Sequence, residues 1–82
     1  MKITFSDHAR EQMRERNITE AMILRTVINP DKVTKQSRGR SAAHKLMGEN
    51  GKKYLLIAVY DESGSTREIV TAFFTTKFKK YL

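Results

Sequence analysis

The feature that most constrains this chain is a change of hydrophobic period at Pro30. Before it, apolar residues recur at steps of three and four, the repeat of a helix face; after it they alternate, and β-branched and aromatic residues dominate, the repeat of a strand. Ser6 and Asp7 offer side-chain oxygens to the free amides of a helix start, and a helix over 7–16 aligns Ala9, Met13 and Arg16 on one stripe. Asn17 tolerates the left-handed conformation that ends a helix. Thr19 is a good N-cap for a second helix over 20–28, with Ile18 and Ile23 placed as a hydrophobic staple around it. Asn29-Pro30 stops that helix, because the residue before proline avoids the α region.

Beyond Pro30 the alternation predicts strands over 32–36, 41–47, 54–61 and 66–78, joined by turns at Ser37-Arg38-Gly39, Gly48 to Gly51 and Glu62 to Ser65. Lys2 to Phe5 alternates as well and is able to pair as a further strand. Short connections make the neighbours antiparallel. Strict period two places Leu55, Ile57 and Val59 opposite Tyr54, Leu56, Ala58 and Tyr60. It places Val70, Ala72, Phe74, Thr76 and Phe78 opposite Ile69, Thr71, Phe73, Thr75 and Lys77. The expected fold is α+β: one domain over 1–82, with two N-terminal helices on one apolar face of a twisted antiparallel sheet of about four strands. The other face is left concave and mixed, and it is the candidate site.

Composition narrows the function. The chain has 82 residues and a net charge of +7. Residues 1–31 hold five basic and five acidic side chains, whereas 32–82 hold eleven basic and four acidic, so the whole excess belongs to the sheet half. A field of that sign concentrates phosphates, which points to RNA or another polyanion as partner; a surface charged only for solubility is the plainer alternative. With no cysteine, neither disulfides nor thiolate zinc sites are available. No apolar run reaches the roughly 20 residues of a membrane span, so a cytoplasmic location is expected. Glycine-rich phosphate loops are absent, and His8 and His44, the two histidines, stand far apart without an acidic cluster, so no metal or other cofactor is expected. A helix-turn-helix reading of residues 7–28 is weak, since Arg25 is the lone basic side chain of the second helix.

Arg38, Arg40, Lys45, Lys52 and Lys53 bracket a hairpin, and Lys77, Lys79 and Lys80 close the chain. These cations suit phosphates, while Tyr54, Tyr60 and Phe73 offer rings for unpaired bases, and the Thr75 hydroxyl with Lys77 can grip a phosphate. The same lysines also read as a solvated edge that protects strands from aggregation. His44 titrates near neutral pH and reads either as a general acid or base or as a space-filler beside Ala42 and Leu46. His8 reads as a surface or cap residue or as a second proton carrier. Arg16 pairs either with a carboxylate or with helix-end carbonyls. By parity Arg40 and His44 share a face and Lys45 takes the other, so the three line one pocket only if the strand bulges.

The strings FSDHAREQMRERNIT, INPDKV, SRGR, YLLIAVYDE and IVTAFFTTK, in this order and spanning nearly the whole chain, resemble an uncharacterised family of small prokaryotic proteins, the DUF4258 type, grouped with RelE/ParE-like and BrnT-like toxins. The resemblance implies a RelE-like architecture and a toxin-antitoxin setting. It also implies metal-independent ribonuclease action or translation inhibition on RNA, ribosome-bound messenger included, restrained by a cognate antitoxin protein. In that reading Arg40, Lys45 and Lys77 supply cations for the in-line phosphorane, and His44 or His8 moves the protons. Arg38, Lys52, Lys53, Tyr54, Tyr60, Phe73, Thr75 and Lys79 hold the RNA. The alternatives are a non-catalytic RNA- or protein-binding module on the same scaffold and a toxin that attacks a protein such as a topoisomerase.

Overall fold

The computed structural model describes residues 1–81 and has α+β architecture. In chain order the elements are β1 (Lys2–Phe5), α1 (Asp7–Arg16), α2 (Glu20–Ile28), β2 (Lys32–Lys35), β3 (Arg40–Glu49), β4 (Lys52–Ser63), β5 (Thr66–Thr75) and α3 (Phe78–Tyr81). The two long helices end where the capping residues predict. Ser6 Oγ accepts from the Ala9 amide, and Asn17 sits at φ 56° while the Ile18 amide returns to the Met13 carbonyl at 2.9 Å. Thr19 Oγ1 accepts from the Met22 amide, and the Met22 sulfur takes the place of a carboxylate in closing the capping box.

The strands form one five-stranded mixed sheet in the order β1-β5-β4-β3-β2, rather than about four antiparallel strands. The difference is β1, which lies parallel to β5 at an edge. Both helices and three strands separate it from β5 in sequence, enough chain for the crossover a parallel pair needs. The β3–β4 hairpin also closes more tightly than expected. Asn50 and Gly51, both at positive φ, form a two-residue turn whose twist suits antiparallel strands, so the strands run on to Glu49 and from Lys52.

A β-bulge corrects the expected parity of the last strand. Val59 pairs with Thr71 but Tyr60 pairs with Ile69, which leaves Val70 as the extra residue. Ile69 therefore joins Ala72 and Phe74 on the helix side, and Val70 joins Phe73 on the other. The strand also stops at Thr75, and Phe78 turns back in α3 instead of extending it.

Both faces of the sheet carry an apolar cluster, so the face away from the helices is not merely mixed. Ala9, Met13, Ile18, Ile23 and Val27 of the helices meet Ala43, Leu56, Ala58, Tyr60, Ile69 and Ala72. On the far side, Ala42, Leu55, Ile57 and Val59 pack with Val70, Phe73 and Phe78. Helix side chains also finish the strand edges. Beyond the end of β1, Gln12 accepts from the Ala72 amide and the Thr71 hydroxyl, and Arg16 donates to the Ala72 carbonyl at 2.7 Å. Arg16 thus binds a strand carbonyl instead of a carboxylate or a helix end.

Leu56→Ala, at a fully buried position, should cost about 2–5 kcal/mol of unfolding free energy. Urea denaturation monitored by circular dichroism measures this, and a cost below about 1 kcal/mol would show that the helix-side core is looser than described.

Candidate nucleic-acid interface

The open face owes its chemistry to register. Lys32 pairs with His44, His44 with Ile57, and Ile57 with Phe73, so one row crosses four strands with all side chains on the same side. Three strand spacings make that row about 14 Å long. A second row of Thr34, Ala42 and Val59 runs beside it. α3 folds back beneath the same face, where Phe78 packs into the apolar cluster and Lys80 reaches the wall of the resulting groove. The groove has a volume of about 490 Å³. Ala42, Ile57 and Val59 form its floor, Phe73 one wall, and Lys32, Thr34, Gln36, His44 and Lys80 the polar lining; among the described residues, no carboxylate lines it.

His44 is the titratable group at the centre, at 3% exposure. Burial lowers its pKa below the ordinary histidine value, and the Lys32 ammonium opposite lowers it further. The ring is thereby held neutral at physiological pH, the form that can accept a proton or a hydrogen bond.

The other nominated residues do not converge on His44. Arg40 lies opposite Asp61 in the β3–β4 register and makes two hydrogen bonds to its carboxylate, at 2.8 and 3.0 Å. Those bonds hold Asp61 below the usual carboxylate range and raise the Arg40 pKa. Arg38 stands next to them in the β2–β3 turn at φ 63°, lining an adjoining hollow that shares Gln36 with the groove and adds Ser37 and the Arg40–Asp61 pair. Lys45 points to the helix side, where its ammonium caps the carbonyl of Asn29 at the end of α2 at 2.8 Å. His8 is exposed in the first turn of α1, in the helix layer on the opposite side of the sheet.

The three nominated aromatic rings are also divided between faces. Tyr54 packs edge-to-face on Phe74, with ring centres 4.8 Å apart, on the helix side. Tyr60 is buried in the helix-side core, with the Arg67 guanidinium 5.1 Å from its ring centre. Phe73 alone of the three faces the groove. Lys52 and Lys53 are exposed beside the Asn50-Gly51 tip, Thr75 Oγ1 accepts from the Lys77 amide, and Lys77 and Lys79 are exposed around the start of α3.

Three polar groove residues escaped the sequence reading: Lys32, Thr34 and Gln36. All three were legible by period two, since an even step from Lys32 to Gln36 puts them on one face, and the short turn to β3 folds that face beside His44. Lys80 was named among the closing cations, but its place in the groove was not legible, because it depends on the chain reversing after Thr75.

The depressed His44 pKa fixes a sign for stability. An unfolded histidine takes up a proton near pH 6.5, before the folded one does, so folding loses stability as pH falls below about 6.5 and keeps it above. Urea midpoints between about pH 7 and pH 5 should therefore fall less in His44→Gln than in the parent, and an identical acid dependence would contradict the burial assigned to this ring. Histidine ring resonances followed by NMR should show His44 titrating below the ordinary histidine value.

No curated protein and no solved structure shows a significant match to the chain. Among described residues there is no helix long and apolar enough to cross a membrane, and no group of three or more side chains suited to hold a metal ion. A family model does match, over residues 5–74, from the end of β1 to the penultimate residue of β5. The chain belongs to the DUF4258 family, described as a domain of unknown function.

Proposed function

We propose that this protein binds single-stranded RNA on the open face of its sheet, as a cytoplasmic, toxin-like protein on a RelE-like scaffold. The observation that carries the reading is the Lys32–His44–Ile57–Phe73 row and the groove above it: apolar floor, aromatic wall, a lysine from β2 and another from α3, and no lining carboxylate among the described residues. An unpaired base presents two apolar faces and a polar edge, which suit the floor with Phe73 and the side chains of Thr34 and Gln36 respectively. Its phosphates suit Lys32 and Lys80. A duplex buries its bases in the stack and offers only backbone. The exposed Lys52, Lys53, Lys77 and Lys79 add long-range attraction for RNA arriving from solution.

A short single-stranded oligoribonucleotide should bind more tightly than the duplex of the same sequence, with affinity that falls as salt rises. Loss of a stacking partner is worth about 1–3 kcal/mol, so Phe73→Leu should weaken binding by about 5- to 150-fold, and Lys32→Glu should weaken it while reducing the salt dependence. Fluorescence anisotropy measures both, with circular dichroism to confirm the fold. Equal affinity in parent and variants would overturn the site.

One observation favours a second reading, metal-independent cleavage: a neutral imidazole lies in the same groove as two ammonium groups. His44 would take the 2′-hydroxyl proton as that oxygen attacks the phosphorus, Lys32 and Lys80 would stabilise the charge on the phosphorane, and the 5′-oxygen would leave with a proton from the imidazolium or from water. Arg40 is neutralised by Asp61, Lys77 lies outside the groove lining and His8 is across the sheet, so that chemistry rests on fewer groups than the sequence suggested. The reading predicts RNA fragments with 2′,3′-cyclic phosphate ends and growth arrest on expression, both lost in His44→Gln. RNA left intact with and without ribosomes would remove cleavage and leave binding. An antitoxin belongs to this second reading, as the partner that would restrain it.

A further inference from the structure

A second surface lies in the helix layer on the other side of the sheet. The β3–β4 hairpin and β5 run out past the helices, and where they do, two hollows of about 410 and 390 Å³ lie side by side. They share Met22 and Tyr54, so they form one cleft divided by the Met22 side chain resting near the Tyr54 ring. Its apolar lining adds Phe74 on one side and Met47 on the other. The partly buried Met22, Met47 and Phe74 pack on the helix-side core from the outside. Thioether side chains are flexible and polarisable, which lets such a surface mould itself to a partner.

The rim carries one sign of charge. Arg16 lines the first hollow, Arg25 and Lys45 the second, and no carboxylate lines either among the described residues. Asp31 stands nearby, but its carboxylate accepts from the Leu46 amide. That bond, with those of Gln12 and Arg16 to Ala72, also uses the backbone groups that an added strand would need at these edges. An extended peptide thus finds little ladder to join, whereas a helix, which satisfies its own backbone, needs only side-chain contacts. A second copy of this chain, at net charge +7, would be repelled electrostatically.

We infer that this cleft docks an acidic amphipathic helix of a partner protein, its apolar stripe filling the hollows on either side of Met22 and its carboxylates meeting Arg16, Arg25 and Lys45. The assignment is independent of the RNA site, which lies across the sheet.

The test is titration of the intact protein with two short synthetic peptides of identical composition, rich in leucine and glutamate. One has its leucines at helical spacing, and the other has them scattered around the helix. The helical-spacing peptide should bind at least tenfold more tightly. Arg25→Glu, at an exposed position, and Met47→Asp, in the apolar lining, should each cost it tenfold or more, with circular dichroism confirming that both variants fold, whereas Lys32→Glu on the opposite face should leave it unchanged. Equal binding of the two peptides would reduce the attraction to net charge and overturn the proposal. So would peptide binding indifferent to Arg25→Glu and Met47→Asp. Sedimentation at rising concentration provides the remaining arm: a dimer abolished by Met47→Asp would assign the cleft to a second copy and overturn the heterologous partner.

Discussion

β4 is the constraint on which the rest of the molecule depends. From Leu55 to Tyr60 six consecutive residues are buried, because the strand is covered by helices on one face and by the α3 side of the molecule on the other. A strand buried on both faces reads as a continuous apolar run and not as an alternating one. Its burial sets the positions of everything else: β3 and β5 must flank it, the helices must cover Leu56, Ala58 and Tyr60, and Leu55, Ile57 and Val59 must be covered from the other side. That last requirement brings the chain end back under the sheet through Phe78. The groove around His44 is what remains of the open face once Phe78 has covered part of it.

The two surfaces assigned to ligands differ in the way their residues are held. On the open face the row from Lys32 to Phe73 is fixed by strand register, which spaces side chains regularly and keeps them on one side. On the helix side, the cleft exists because the helices are shorter than the strands beneath them, and its cations double as structural groups: Arg16 finishes β5 and Lys45 caps α2. If both proposed ligands bind, this division would keep RNA and an acidic protein from competing for the same residues. Charge alone is a poor guide to the open-face site, since Arg40 is paired with Asp61 and Lys45 lies on the helix side.

Much of this fold was legible from local chemistry. Ser6, Asn17, Thr19 and Pro30 bound the helices where they occur, because capping is decided by residues within one turn. The switch of period at Pro30 gave the order of helices before sheet. What was not legible came from longer range. The Val70 bulge reverses side-chain parity in β5, so a strict period-two reading moves Ile69 to the wrong face; the bulge reflects pairing with Tyr60, which no local signal records. The parallel partnership of β1 depends on where the helices return the chain. Of the candidate site, His44 and Phe73 could be read from residue type, and Lys32 from parity. Tyr54 and Tyr60 were drawn from their chemistry alone and lie on the helix side, where packing claims them.

The central claim is that single-stranded RNA meets the open face of the sheet at His44. Amide chemical-shift mapping on labelled protein titrated with a short single-stranded oligoribonucleotide tests it most directly. The account predicts perturbations concentrated along β2, the Arg40 to His44 stretch of β3, the Ile57 and Phe73 positions and α3, with the residues around Met22 and Tyr54 unmoved. Perturbations centred on the helix layer, or spread evenly over exposed lysines, would contradict it.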